Sequence, residues 1–217
     1  GVVGGLASLG IVTGVFGGAT WVLFLVVWCS WLSIQTANTN LFWFPWDNLL
    51  TECALLGSLL PALEPLPNLR AQSSLEPWVG LLFAWLLFRV MFGMGFAKFR
   101  RWDARTRELT YLYHFLEWQP FPTGFAARVR DLPLWFHKGG LLAFWGVEIV
   151  VPFLIFSPID SHRVAAACCF MGLQLVIWAA GNYGTFNLLT LSLCIPLLTP
   201  LSWPIFSEMG SGELWIL

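Results

Sequence analysis

Five polar side chains stand inside long apolar stretches of the sequence, where they could hold a proton, a ligand or one another. Two are carboxylates, one is a guanidinium and two are amides: Glu52, Arg89, Glu148, Gln174 and Asn187. Ionisable groups inside a bilayer are costly unless they are paired or reached by water. These residues therefore predict a buried polar cluster, which is either a structural ion pair or a site for a ligand or a proton.

Arg89 and Glu148 are the two members of this cluster that we expect to pair. Each lies eight or nine residues from the end of its apolar run that borders residues 98–138, which is roughly 12 to 14 Å at about 1.5 Å per residue. Pro152 has no N–H to donate to the carbonyl of Glu148, so a kink is expected there. We expect Arg89 and Glu148 within salt-bridge distance, with Gln174 or Asn187 hydrogen-bonding in the same cluster.

Apolar runs of bilayer length are the elements that must position this cluster. The chain of 217 residues is 58% hydrophobic and 11% charged, with a mean hydropathy of +0.73, whereas soluble domains carry about a quarter charged residues. Backbone groups in lipid must be paired internally, which predicts helices. We predict an all-α polytopic membrane bundle with five or six transmembrane helices in a single domain over residues 1–217. The predicted spans are 11–33, 49–63, 77–97, 139–156, 164–180 and 186–206, the second of which is short and could fail to cross.

Residues 98–138 form the long polar connection, which we call the membrane-face loop and predict to be amphipathic, basic and aromatic. Its charged and titratable side chains include Lys98, His114, Glu117, Arg128 and Arg130. The positive-inside rule places such a loop on the cytoplasmic side, and alternating spans put residues 34–48 and 181–185 on the same face. Basic residues beside aromatic ones also favour contact with anionic lipid headgroups.

The turn motif Gly181, Asn182 and Tyr183 connects the last two predicted spans. Gly181, Asn182 and the following Gly184 suit positive φ angles, and Thr185 is expected to cap the next helix with its side chain. A tight hairpin between membrane helices explains these residues but not Asn187, which lies just inside the span. An amide at that position is expected to face the protein interior.

Catalysis, metal binding and nucleic-acid binding are not indicated by the sequence. His114, Glu117 and His137 could form a small acid and base group, yet they have no metal-ligand spacing, and we expect interface roles for them. The five cysteines lack a Cys-x-x-Cys pair and are expected to be packing thiols. A net charge of -1 excludes a nucleic-acid binder of the usual kind. No cofactor is required, although a bound lipid is compatible with the sequence, as is a pigment held by a histidine, Glu148 or Gln174.

Several motifs follow one another in a specific order between residues 40 and 195. They include FWFPWD at 42–47, LFRVMFGMG at 87–95, WFH at 135–137, EIVVPFLIFSP at 148–158 and GNYGTFNLLT at 181–190. Their order and spacing resemble the transmembrane region of the lipase maturation factor family. The resemblance implies an endoplasmic-reticulum membrane protein that assists the folding of secreted lipases without catalysis. Its partners are then membrane lipid and client proteins. In that family a large C-terminal domain follows, and we expect it to be absent here because the sequence ends at Leu217.

A stably bound accessory subunit of a large organellar membrane complex, photosynthetic or respiratory, is the alternative function. The 14 Trp and 19 Phe residues offer broad packing surfaces to other subunits, lipids or pigments. This alternative implies an inner organellar or thylakoid membrane instead of the endoplasmic reticulum. Stoichiometric copurification with one complex would favour it, whereas transient association with immature clients would favour a maturation factor.

We expect the membrane-face loop to be ordered against the membrane, because its aromatic side chains are too apolar for a free linker. These are Trp102, Trp118, Phe121, Phe125, Trp135 and Phe136. Trypsin should therefore leave the Lys and Arg bonds of this loop intact in the bilayer-embedded protein under conditions that cut a denatured sample. Rapid cleavage throughout the loop would contradict the prediction.

Overall fold

Helices make up two compact units, residues Gly1–Phe83 and Ala84–Leu217, in the computed structural model of the chain. The structure describes residues 1–37, 45–60, 77–101, 104–118, 122–181, 183 and 185–198. The helices up to the membrane-face loop are α1 (Val2–Thr13), α2 (Thr20–Ala37), α3 (Pro45–Gly57) and α4 (Pro77–Arg101). The loop and the last segments contain α5 (Ala104–Arg107), α6 (Tyr111–Glu117), α7 (Gly124–Arg130), α8 (Leu134–Trp145), α9 (Asp160–Ala180) and α10 (Phe186–Cys194).

Four stretches within the described residues are long and apolar enough to cross a bilayer. They are Gly17–Ala37, Trp78–Lys98, Leu134–Phe156 and Asp160–Ala180, and two shorter apolar helices are Val2–Thr13 and Phe186–Leu198. The predicted all-α membrane bundle is confirmed. The predicted span 49–63 corresponds to α3, whose 13 residues extend only about 20 Å at about 1.5 Å per residue. Residues 61–63 and 199–206 of the predicted spans lie outside the described residues.

The first unit contains an antiparallel hairpin of α1 and α2. Gly4 lies against Ser30 and Gly10 lies against Leu23, so the two helices run in opposite directions with small residues at their contact. The α3 helix packs on α2, where the Trp31 indole donates to the Asp47 carbonyl at 3.2 Å. Among the described residues of this unit, α1 packs on α2 and α2 packs on α3, so these contacts join helices that follow one another in the chain.

The predicted span 11–33 is wrong as a single helix. The chain leaves α1 at Gly14, whose φ of 63° is left-handed, and Gly17 has a φ of 42° before α2 begins. Glycine adopts these angles without the penalty that a side chain imposes, so it ends helices readily. The hydropathy signal continued through the turn because the residues between the glycines are themselves apolar.

The second unit is built around α4 and α9, with an aromatic ladder along one side of α4. Phe88 and Phe92 stack with ring centroids 5.4 Å apart, and Phe153 meets both rings edge-on. On another face of α4, Leu87 and Met91 are fully buried. The α9 helix contributes the small buried residues Ala166 and Ala167 and the buried ring of Phe170.

The described part of the membrane-face loop is helical. It contains α5, α6, α7 and the first residues of α8, and α8 begins at Leu134, before the predicted start at 139. A buried cluster of Leu112, Leu116, Ala126, Leu141 and Ala180 joins α6, α7 and α8 to the end of α9. The loop is therefore a packed part of the second unit. Trp102 and Phe121 lie outside the described residues.

Thr123 fastens the membrane-face loop to the end of α9. Its hydroxyl oxygen accepts a hydrogen bond from the Ala126 amide at 3.1 Å, which caps the first turn of α7. The same hydroxyl donates to the Ala179 carbonyl at 2.6 Å, with the Ala180 carbonyl 3.3 Å away. One side chain thus satisfies end groups of two helices and brings the loop against the end of α9, while the membrane side on which they lie stays a prediction.

Replacing Thr123 with Ala should destabilise the second unit by about 1 to 2 kcal/mol, because a helix cap is lost and carbonyls of α9 lose their donor. Thr123→Ser keeps the hydroxyl and should stay within about 0.5 kcal/mol of the parent. Thermal unfolding in lipid nanodiscs would measure both variants, and hydrogen exchange at Ala126 should accelerate only in Thr123→Ala. Equal exchange in the two variants would contradict the capping role of this hydroxyl, and equal stability of the two variants would contradict its contact with α9.

Candidate functional site

Glu148 lies where the helix of the third candidate span changes its winding. After α8 the chain forms a π-helical segment, Gly146–Val150, and then a 3-10 segment, Val151–Phe156. Pro152 supplies a local cause, since its ring nitrogen cannot donate to the carbonyl four residues earlier. Single π turns inside helices are frequent at functional sites, and here the π segment carries the buried carboxylate.

Lys98 of α4 is the ionic partner of Glu148. Its ammonium group donates to both carboxylate oxygens, and the exposed fractions of the two side chains are 18% for Lys98 and 2% for Glu148. A carboxylate held this way is compensated within a low-dielectric interior, where an unpaired charge would cost several kcal/mol. The pair joins α4 to the π segment across the second unit.

Gly95 allows the two helices to approach closely enough for this pair to form. A Cβ atom at Gly95 would lie 2.8 Å from both the Glu148 Cβ and the Ile149 Cγ1, closer than carbon atoms can pack. Gly95 precedes Lys98 by almost one helical turn, so both residues are on the same side of α4. The glycine and the lysine therefore act together in bringing α4 against Glu148.

The predicted salt bridge between Arg89 and Glu148 is wrong, because the cation that pairs with Glu148 is Lys98. Arg89 is exposed and lies nine residues before Lys98, which is about two and a half turns and places it on the opposite side of α4. The level of Glu148 was also misjudged, because α8 begins at Leu134 and Glu148 meets α4 at Gly95. Arg89 is six residues, or about 9 Å, further along the helix.

The remaining members of the predicted polar cluster differ in burial. Gln174 and Asn187 are each 1% exposed, and the Gln174 amide nitrogen lies 3.9 Å from the Met91 sulfur. Within the described part of the chain, Gln174 Oε1 and both polar side-chain atoms of Asn187 make no hydrogen bond. Glu52 is half-buried on α3 in the first unit, and its membership of the cluster stays a prediction.

The turn between α9 and α10 differs in detail from the prediction. Gly181 has φ -164° and ψ 175°, which is extended backbone and not the positive φ that was expected. Thr185 makes no side-chain cap, and the Phe186 amide instead donates to the Tyr183 carbonyl at 3.2 Å. The Tyr183 ring stacks on Phe115 of the membrane-face loop with centroids 6.1 Å apart. Asn182 and Gly184 lie outside the described residues.

The histidines of the membrane-face loop have separate environments. His114 Nδ1 lies 3.5 Å from the Glu117 carboxylate, and both side chains are partly exposed. His137 is fully buried, and its Nε2 lies 3.2 Å from the carbonyls of Arg130 and Leu132, to which it donates. The Tyr113 ring lies edge-on to both histidines at 5.4 Å. His137 thereby closes the turn between α7 and α8.

The other predicted loop residues and the cysteines are mostly at the surface. Arg128 and Arg130 are exposed on α7, and Arg130 pairs with Asp131 at 3.2 Å. Cys194 is buried as expected of a packing thiol, whereas Cys29, Cys168 and Cys169 are exposed. The described residues hold no group of three or more His, Cys, Asp or Glu side chains arranged for a metal ion.

Sequence reasoning missed Lys98 as the ionic partner, and it missed Thr123 and the burial of His137. A glycine inside a helical run signals close backbone approach, so Gly95 could have indicated where α4 meets its neighbour. A threonine followed by Gly and an apolar residue is an N-cap signal, which could have located the start of α7 at Thr123. The burial of His137 carries no comparable signal.

The apolar helices and the internally paired charge define a polytopic helical membrane protein. Residues 1–204 match the family model described as the lipase maturation factor transmembrane domain. The chain belongs to the lipase maturation factor family, as its motifs suggested.

Individual relatives agree with this assignment. Human lipase maturation factor 2 is 36% identical over 200 residues, which are 88% of this chain and 28% of that protein. Mouse lipase maturation factor 1 is 30% identical over 187 residues, which are 86% of this chain and 32% of that protein. The chain thus spans about a third or less of the length of these relatives. No solved structure is significantly similar to it.

Removing one partner of the Lys98 and Glu148 pair should destabilise the second unit by about 3 to 5 kcal/mol, because the other charge is left buried. Lys98→Met should therefore be more damaging than the double change Lys98→Met with Glu148→Leu. Lys138, the other lysine of the chain, is half-buried and provides the control Lys138→Met, which should be nearly neutral. Unfolding curves in nanodiscs would measure these effects. A double variant no more stable than Lys98→Met would contradict the pairing.

Proposed function

We propose that this chain is the membrane-embedded part of a lipase maturation factor and assists the maturation of client proteins without catalysis. The observation that carries the proposal is the match of residues 1–204 to the transmembrane domain of that family. The names of its relatives, lipase maturation factors 1 and 2, indicate lipases as the clients. The family resemblance favours the endoplasmic reticulum as the membrane.

Glu148 and the two histidines of the membrane-face loop already make hydrogen bonds or ion pairs within the protein, which supports a non-catalytic role. Both oxygens of Glu148 are occupied by Lys98, which leaves the carboxylate poorly placed to take a proton from a substrate. His137 is buried and donates to two carbonyls that close a turn. His114 with Glu117 remains as an exposed pair, without a third group to orient the imidazole within the described residues. These groups serve the fold, and the proposed activity is one of binding.

The exposed aromatic residues of the membrane-face loop suit a protein that holds others at the membrane. Trp118 is 66% exposed and Trp135 is 72% exposed, and the arginines of α7 lie in the same loop. Tryptophan and arginine are enriched at the centres of protein interfaces. The alternative of an accessory subunit in an organellar complex has no support from the relatives, whose names describe maturation factors.

A domain exchange in cultured cells tests the proposal. This chain would replace the matching region of mouse lipase maturation factor 1, and the chimera would be expressed in cells that lack the endogenous factor. We expect secreted lipase activity per amount of lipase protein to recover to at least half of the level given by the intact factor. A chimera that reaches the endoplasmic reticulum in normal amount and leaves the lipase inactive would overturn the proposal.

The same chimera separates binding from catalysis. Changing both His114 and Glu117 to Ala should leave lipase activation within about twofold, because these side chains are partly exposed and their ion-pair and ring contacts within the described residues stay inside α6 and its C-cap. Lys98→Met should abolish it through loss of the folded second unit, which the amount of chimera in the membrane would show. A complete loss caused by the His114 and Glu117 changes, at an unchanged amount of chimera, would contradict a non-catalytic role.

A further inference from the structure

An apolar cavity lies among α6, α7, α8 and α9 in the second unit. Its volume is about 140 Å³, and its lining includes Leu116, Phe125, Val129, Phe136, Phe144 and Val176. None of its lining side chains carries a polar group, and a buried water needs two to four polar partners. A dry cavity of about 150 Å³ is large enough to hold benzene. This cavity therefore fits a hydrocarbon segment of about six carbons.

The cavity opens to the outer surface of the second unit. Three of its lining residues come from different helices and are substantially exposed: Phe125 by 43%, Phe136 by 40% and Val176 by 43%. Val176 belongs to the candidate span Asp160–Ala180, so this mouth borders the hydrocarbon region of a bilayer. On the same span, Leu175 and Trp178 are also exposed. A chain that enters the cavity can therefore come directly from surrounding lipid.

Helical spacing puts a basic side chain next to Phe125, one of the exposed residues of the cavity lining. Arg128 is exposed and follows Phe125 by three residues on α7, a spacing that places two side chains next to each other on one side of a helix. Trp118 and Trp135 are exposed in the same loop, as is typical of residues at the level of lipid headgroups. A positive charge at that level attracts anionic phospholipids.

We propose that this cavity binds a segment of about six carbons from one acyl chain of an anionic membrane phospholipid, and that Arg128 at the mouth attracts the net negative charge of its headgroup. The site goes beyond the proposed function, since it requires no client protein. The occupant is a lipid because the cavity is wholly apolar, its mouth borders a membrane-spanning helix and its rim carries a positive charge. An apolar protein segment would not require that charge, and it is an outcome that the experiment can reveal.

Photolabelling in nanodiscs of defined composition tests the proposal. The probe is phosphatidylglycerol with a diazirine on its acyl chain, and phosphatidylcholine with the same chain is the neutral comparison. We expect phosphatidylglycerol to label peptides of α7, α8 and α9 that contain Val129, Phe144 and Val176. Uniform labelling of the lipid-facing helices, or an equal yield with phosphatidylcholine, would overturn the proposal. Copurification of a peptide in the cavity would do the same.

Blocking the cavity should remove this labelling. Val129→Phe fills the cavity from α7 and should lower the labelling at least tenfold, whereas Leu175→Phe, outside the cavity lining on α9, should leave it unchanged. If Val129→Phe lowers the amount of folded protein, Val176→Trp at the exposed mouth serves the same purpose with less strain. Undiminished labelling in a folded, blocked variant would contradict the site.

Arg128 has a separate test. Arg128→Gln should reduce labelling by phosphatidylglycerol about fivefold, the factor expected for one basic residue near an anionic surface, and should leave the phosphatidylcholine yield unchanged. Arg107→Gln is the matched control, since Arg107 is also exposed in the loop but lies on α5, which does not line the cavity. Equal losses in both variants would show a general surface charge effect and overturn the role of Arg128.

Discussion

The second unit depends on the neutralisation of one buried carboxylate. Glu148 cannot remain charged in an apolar interior without a cation, and Lys98 supplies it with a contact to both oxygens. That requirement fixes the rotation of α4, because the side that carries Lys98 must face the π segment. It also explains Gly95, since any larger residue would hold the two helices apart. The position of Lys98, the rotation of α4 and the glycine at position 95 thus all follow from the need to neutralise Glu148.

Hydrogen bonds from side chains to backbone carbonyls at helix ends hold the membrane-face loop in place. The last carbonyls of a helix have no partner within it, and those of α9 receive a donor from Thr123. His137 does the same for the turn that follows α7. These two side chains come from a segment that carries most of the basic residues. The loop is therefore part of the folded body, and its aromatic surface is presented in a fixed geometry.

Composition and apolar run length were sufficient to predict the membrane class and the helical fold. They located α9 well, because its polar flanks at Asp160 and Gly181 are distinct. They did not predict the partner of Glu148, because counting residues from a misplaced span end gave the wrong depth, and because such a count carries no information on rotation about the helix axis. The early start of α8 was hidden by His137 and Lys138, which interrupt the apolar signal. The Thr123 contact joins residues 56 positions apart, which no local pattern encodes.

The change of winding after Glu148 also affects how far this span reaches. A 3-10 helix rises about 2.0 Å per residue and an α-helix about 1.5 Å, so the six residues of Val151–Phe156 cover about 12 Å instead of about 9 Å. This segment is therefore about 3 Å longer than the same six residues would be in an α-helix. Membranes of the secretory pathway differ in hydrocarbon thickness by a few ångströms. The 3-10 winding of Val151–Phe156 therefore lengthens its own part of the span by an amount similar to the difference in thickness between those membranes.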